Sequence, residues 1–273
     1  MKTLSAFLLA VVSASAMAAA ATDSARPNLV QGPTLSAINS AGVAGVNHSP
    51  EGSAVTIFDS FTGAATLTTT TGSPRTFIGS SLTVDPGTGI DVAVQEATVF
   101  MASTATQSFS NGLVINMQLW DDFDGSSATA VFATPSGGVQ TFTVPGPVNL
   151  TANTFTQINV VFAVPLTMTG LNIGLDINYQ GDNGAGPAST DTLTNLLRAQ
   201  AEPGSGTLAV GSFTPSGTFA SPNFGFFRNV GNQTNFNHPN TDLRTFTGLD
   251  DILMAVQLRG LVTPAALTAF SVE

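Results

Sequence analysis

Apolar and polar residues alternate along most of this chain with a period of two, the spacing that sends successive side chains to opposite faces of a β-strand. From Ile90 to Met101, Ile90, Val92 and Val94 point one way and Asp91 and Gln95 the other. Leu113 to Trp120 places 113, 115, 117 and 119 on one face. Val139, Phe142 and Val144 follow a turn expected at Gly137-Gly138. Gln157 to Val164, Leu171 to Tyr179 and Ile252 to Leu258 repeat the pattern. Ala54 to Phe58 and Ala65 to Thr71 are short β-branched runs split by Thr62-Gly63. Thr76 to Val84 stops at Asp85-Pro86-Gly87, where proline presets φ for a turn. The pattern predicts roughly ten or more strands between loops of Pro, Gly, Asn and Ser. One segment has a helical spacing instead: Asp191 to Ala199, with Leu193, Leu196 and Leu197 behind an Asp191 cap. No fixed-period repeat is present, which argues against a solenoid or propeller. Many antiparallel strands, each with one wet face, predict an all-β fold, an antiparallel β-sandwich of jelly-roll type.

The first residues depart from that pattern. Lys2 precedes the apolar run Leu8 to Val12 and the small-residue stretch Ala14 to Ala21. That order marks a secretory signal peptide rather than a membrane span. Residues 1–21 are therefore expected to be removed, leaving a secreted, extracellular protein with no membrane span in its mature form. Residues 22–50, rich in Gly, Ala, Ser and Asn, are expected to be flexible or to pair as a strand. The β-sandwich domain is assigned to 51–262 and a C-terminal tail to 263–273.

Composition narrows the partners. The only lysine is Lys2, so loss of the leader leaves six arginines against 17 acidic residues, a net charge of about −11 compared with −10 for the whole chain. Such a balance repels phosphate backbones and anionic lipid surfaces, so nucleic acid is not an expected partner. Only 9% of residues are charged and 42% are hydrophobic, the reverse of a disordered acidic chain. The absence of cysteine removes disulfides, thiol nucleophiles and a lipid-acceptor thiol. The absence of lysine from the mature chain removes Schiff-base chemistry and lysine cross-links. Secretion without disulfides fits a bacterial exoprotein. An outer-membrane barrel would share the alternation but carries girdles of Tyr and Trp, and this chain has one of each.

Three stretches carry a resemblance: Ile57-Phe58-Asp59-Ser60-Phe61; Leu119-Trp120-Asp121-Asp122-Phe123-Asp124-Gly125; and the run from Ile252 through Val256-Gln257-Leu258-Arg259 to Gly260. Their order resembles the secreted bacterial β-sandwich exoproteins of the choice-of-anchor or PEP-CTERM type, over about residues 52–262. The resemblance implies an exported sandwich. In that group the closing strand is followed by a proline motif, an apolar helix and a basic cluster. Here Val262-Thr263-Pro264 is followed by Ala265 to Glu273, so that kind of anchoring is not expected.

Candidate chemistry is sparse. Asp121, Asp122 and Asp124 crowd the loop after one strand, and Asp250-Asp251 opens the closing strand. Carboxylates so placed can converge on a hard cation, and Ca²⁺ seeks about six to eight oxygens, although no EF-hand pattern is present. Calcium is thus the candidate structural cofactor, with Asp121, Asp122, Asp124, Asp250 and Asp251 as candidate ligands and Glu51 or Asp59 as further ones. Turn-forming Asx hydrogen bonds are the plainer role for the same residues. Trp120 is the candidate ligand-binding residue, a ring that could stack on a sugar. His48 and His238 are isolated, no Gly-x-Ser-x-Gly elbow occurs, and no pair of glutamates has a glycosidase setting. These features favour a non-enzymatic surface or extracellular-matrix protein acting through structural or adhesive contacts with surface glycans or with other copies of itself. A calcium-assisted carbohydrate-binding module and an unidentified extracellular hydrolase stay open.

Overall fold

The computed structural model describes residues 29–39, 54–62, 67–69, 76–87, 89–121, 134–168, 170–184, 193–199, 208–212, 225–229, 243–245 and 252–264. Among these there is no helix, and seventeen strands account for most of them. In chain order they are β1 (Val30–Ser36), β2 (Ile38–Asn39), β3 (Val55–Asp59), β4 (Leu67–Thr69), β5 (Thr76–Thr83) and β6 (Gly89–Ser103). Then come β7 (Gln107–Phe109), β8 (Gly112–Asp121), β9 (Thr134–Pro145), β10 (Val148–Leu150), β11 (Thr154–Met168) and β12 (Asn172–Asp182). The last are β13 (Leu193–Ala199), β14 (Gly225–Asn229), β15 (Leu243–Thr245), β16 (Ile252–Met254) and β17 (Val256–Pro264).

One sheet of eight strands runs β1-β11-β6-β13-β16, with β17 and β3 continuing beside β6 and β4 beside β13. A second sheet of seven runs β15-β14-β5-β12-β8-β9-β2, and β7 with β10 makes a two-stranded ribbon. Among the described residues only β1 on β11 is parallel; the other ladders are antiparallel. The fold is therefore an antiparallel β-sandwich. These strand orders do not by themselves establish jelly-roll wiring.

The alternation explains the packing. Val94, Ala97, Val99 and Met101 of β6 and Ile158, Val160 and Phe162 of β11 enter one apolar cluster from the first sheet. Leu113, Ile115, Met117 and Leu119 of β8 and Ile173, Leu175 and Ile177 of β12 enter it from the second. Phe142 of β9 meets Phe162 edge-on across the sheets, with ring centroids 5.5 Å apart. Truncating either fully buried ring to Ala would cost about 3–5 kcal/mol.

Polar stitches add register to this non-directional core. Asn195 of β13 donates its side-chain amide to the carbonyls of Ile78 (3.3 Å) and Ile177 (3.2 Å), which are paired residues in the opposite sheet. Ser80 Oγ of β5 accepts the Met254 N–H at 3.0 Å, again between sheets. Ser60 Oγ accepts the Val256 N–H at 2.9 Å and donates to the Met254 carbonyl at 2.8 Å, closing the break between β16 and β17. The segment 208–212 bridges the edge of one sheet to the other, through Asp59 with Val210 and Thr83 with Ser212.

Two local expectations change. The helix expected over Asp191 to Ala199 is overturned where the chain is described: Leu193–Ala199 is β13, hydrogen-bonded to β6, β4 and β16. Residues 193–197 are all buried, so the leucine spacing reflects a strand covered on both faces rather than a helical stripe. Gly137-Gly138 does not end a strand. It lies inside β9, where the register against β8 slips between Met117 and Leu119 and Gly138 takes φ 69°. A glycine bulge, not a turn, absorbs the extra residues. Asp85-Pro86-Gly87 does form its turn, with the Gly87 N–H on Asp85 Oδ1 at 2.8 Å. The leader (1–21) and residues 265–273 of the tail lie outside the described residues.

Candidate functional site

Two polar rows mark the sandwich, one on the outer face of each sheet. On the eight-stranded sheet, register aligns Ser36 of β1, Asn159 of β11, Thr98 of β6, Gln257 of β17 and Asp59 of β3 in a single line. Their neighbours Ile158, Val99, Val256 and Phe58 fill the core, so this line faces away from it. Thr98 Oγ1 donates to Asn159 Oδ1 at 3.0 Å, and the Gln157 amide reaches the same oxygen at 3.3 Å. Gln257 Nε2 donates to Asp59 Oδ2 at 2.9 Å and to Thr62 Oγ1 at 3.2 Å. Asp59 Oδ1 accepts the N–H groups of Phe61 and Thr62, both at 2.9 Å, as an Asx turn does. Asp59, a further candidate cation ligand in the sequence, thus spends both oxygens within the fold.

A second outward line holds Val161, Glu96, Arg259 and Thr56. Arg259 pairs with Glu96 at 2.6 Å and also donates to the Ala54 carbonyl at 2.8 Å. Both side chains are solvent-accessible, so the pair orders the surface more than it stabilises it, at about 0–1 kcal/mol. Toward the C-terminal end of β6 the face turns aromatic: Phe61 stacks on Phe100 at 3.9 Å, and Phe155 meets both rings edge-on.

The row on the seven-stranded sheet is buried. Asp176, Asn178 and Gln180 of β12 face Gln118, Asn116 and Val114 of β8, and Trp120 sits opposite Gly174. Asp176, Gln118, Asn116, Asn178, Gln180 and Trp120 are all at most 3% exposed. The Trp120 indole N–H donates to Asp176 Oδ2 at 3.2 Å, and Thr141 Oγ1 donates to Asn116 Oδ1 at 2.9 Å. Asn116 Nδ2 is buried with no protein partner. Burying such groups is unfavourable unless they are bonded, which is why they concentrate in one ladder. This corrects the expectation of one wet face per strand, because β12 is covered on both.

Trp120, the expected sugar-stacking ring, is therefore placed inside the fold beside Asp176. Asp121 ends β8 opposite Thr134; its side chain, and Asp122, Asp124, Asp250 and Asp251, lie outside the described residues. So do His48, His238 and Glu51. Among the described residues no three His, Asp or Glu side chains gather as metal ligands. An open cleft of about 340 Å³ lies between Thr83, Asp85, Pro86, Leu171 and Ser212. Tyr179 points its hydroxyl into the core without a partner, and burial pushes its phenol well above the usual range. No helix among the described residues is long and apolar enough to cross a membrane. Compared with known proteins, the chain matches no family model, no curated protein and no solved structure.

Proposed function

We propose that the chain is an exported, non-enzymatic bacterial surface or extracellular-matrix protein that adheres through the outer face of its eight-stranded sheet. The carrying observation is the line Ser36–Asn159–Thr98–Gln257, in which hydroxyl and amide groups recur at the ~4.8 Å strand spacing and which ends on the buried Asp59 carboxylate. Thr98, Asn159 and Gln257 are half-buried and held by one another or by Asp59. Groups ordered beforehand lose little entropy on binding. Their donor and acceptor chemistry suits a hydroxyl-rich polymer such as a surface glycan. Trp120 adds no support for sugar stacking, because its ring is buried. A structural calcium ion held by Asp121, Asp122 and Asp124, or by Asp250 and Asp251, belongs to the same proposal.

The test is retention on insoluble polysaccharides and bacterial surface material by wild type, Thr98→Arg and Asn159→Arg, with folding checked by circular dichroism. Wild type is expected to be retained, and each arginine to reduce retention at least tenfold. Absence of wild-type retention across a broad panel overturns the adhesive reading.

A further inference from the structure

Residues 29–39 form an arm clasping one side of the sandwich. β1 lies on β11 of one sheet, Ala37 crosses over, and β2 pairs with Phe142 and Thr143 of β9 in the other. None of the seven β1 residues is buried, and Val30 is 63% exposed. Two leucines anchor the arm. Leu29 packs on the outer cluster of Phe100 and Phe155, and Leu35 on the main core. Six residues apart in an unbroken strand, both would point the same way. One extra residue at Gly32-Pro33, between the pairs Gln31–Phe155 and Thr34–Gln157, sends them to opposite faces.

We propose that the β11 edge is a strand-acceptor site for the arm of a second copy of this chain, so that two molecules exchange residues 29–39. A segment held by two short ladders, by Ala37 and by two leucines opens at lower cost than the whole fold. Opening uncovers the Thr154–Asn159 edge with Phe155 and Ile158 on its two faces, and such an edge recruits another strand. An identical arm from a second copy restores every ladder the first arm made on β11 and β9, because the same residues meet the same partners. Two molecules that each donate and accept an arm close as a dimer, and Pro33, which has no N–H, keeps the outer edge of the seated arm from recruiting a further strand. This inference is independent of what the outer face adheres to.

The chain has no cysteine, so exchange can be trapped. Ser36 and Asn159 are register partners. Full-length chains lacking only residues 1–21, one with Ser36→Cys and one with Asn159→Cys, are mixed below the melting temperature and oxidised. The expected product is a heterodimer linked between positions 36 and 159, well above the yield of either homodimer. A Ser36→Cys/Asn159→Cys double variant should cross-link within one chain when dilute. Adding Leu35→Asp to the Ser36→Cys chain should cut the heterodimer at least fivefold. Heterodimer at only the statistical yield, beside normal intrachain linkage in the double variant, overturns the exchange. Failure of the intrachain linkage overturns the arm's seat on β11 itself.

Discussion

The indole nitrogen of Trp120 donates to Asp176 Oδ2 over 3.2 Å, between adjacent strands and inside the fold. Trp120→Phe keeps an aromatic ring but removes that donor and part of the buried ring volume. The expected loss is about 1–3 kcal/mol, the range for a buried acceptor deprived of a bond. Urea unfolding followed by circular dichroism measures it. The tryptophan is the only one in the chain, so wild-type emission should be blue-shifted and move red on unfolding. A solvent-like native emission would contradict the burial of the ring.

Tyr179 is also the only residue of its kind. Its hydroxyl is buried without a partner, so Tyr179→Phe should be neutral or stabilising by up to about 1 kcal/mol. Burial raises the native phenol pKa above its unfolded value near 10, so the native state keeps the proton longer. The associated stability is present below about pH 10 and is lost as pH rises beyond it. Phenolate absorbance should therefore appear together with unfolding rather than before it. Tyr179→Phe should flatten this alkaline fall. Phenolate forming in a still-folded protein would refute the assignment.

Gly181 of β12 has the Phe109 ring where a Cβ would stand. Gly181→Ala should cost about 1–3 kcal/mol by overpacking. Phe109→Leu combined with Gly181→Ala should lose less than the sum of the single changes, since the two sites share one space. Thermal melts of the four proteins give the coupling. Strict additivity would show that the ring and the glycine do not compete.

If calcium binds the native chain, millimolar calcium should raise the melting temperature relative to chelator, by mass action. Asn at 121, 122 and 124, or separately at 250 and 251, should abolish the shift and so locate the ion. Equal melting temperatures in calcium and chelator would remove calcium from the proposal.

Long strands such as β6, β8, β11 and β12 were legible because each feeds a core face at period two. The second faces were not. A row like Asp176, Asn178 and Gln180 reads as solvent-facing in any alternation count, and only tertiary contact reveals it as interior. The same blindness made Leu193, Leu196 and Leu197 look helical, since a strand buried on both sides loses its period. β1 gave little signal for the opposite reason: apart from Leu35 its hold is backbone pairing, which leaves no trace in residue type. Of the candidate ligands, Asp59 was legible as a turn former, the role its bonds to Phe61 and Thr62 bear out. Its bond to Gln257 was not legible, because that pairing joins residues 198 apart in sequence.

That separation has a kinetic side. β17 lies between β6 and β3, a position inside its sheet although it is the last strand in chain order among the described residues. A nascent chain therefore has a gap in the middle of that sheet until about residue 264 has emerged. Contacts spanning such distances form late, because loop closure must come before any gain in packing. A partly made molecule cannot settle into its native shape early. Emergence of β17, rather than of the strands before it, sets when the eight-stranded sheet can close.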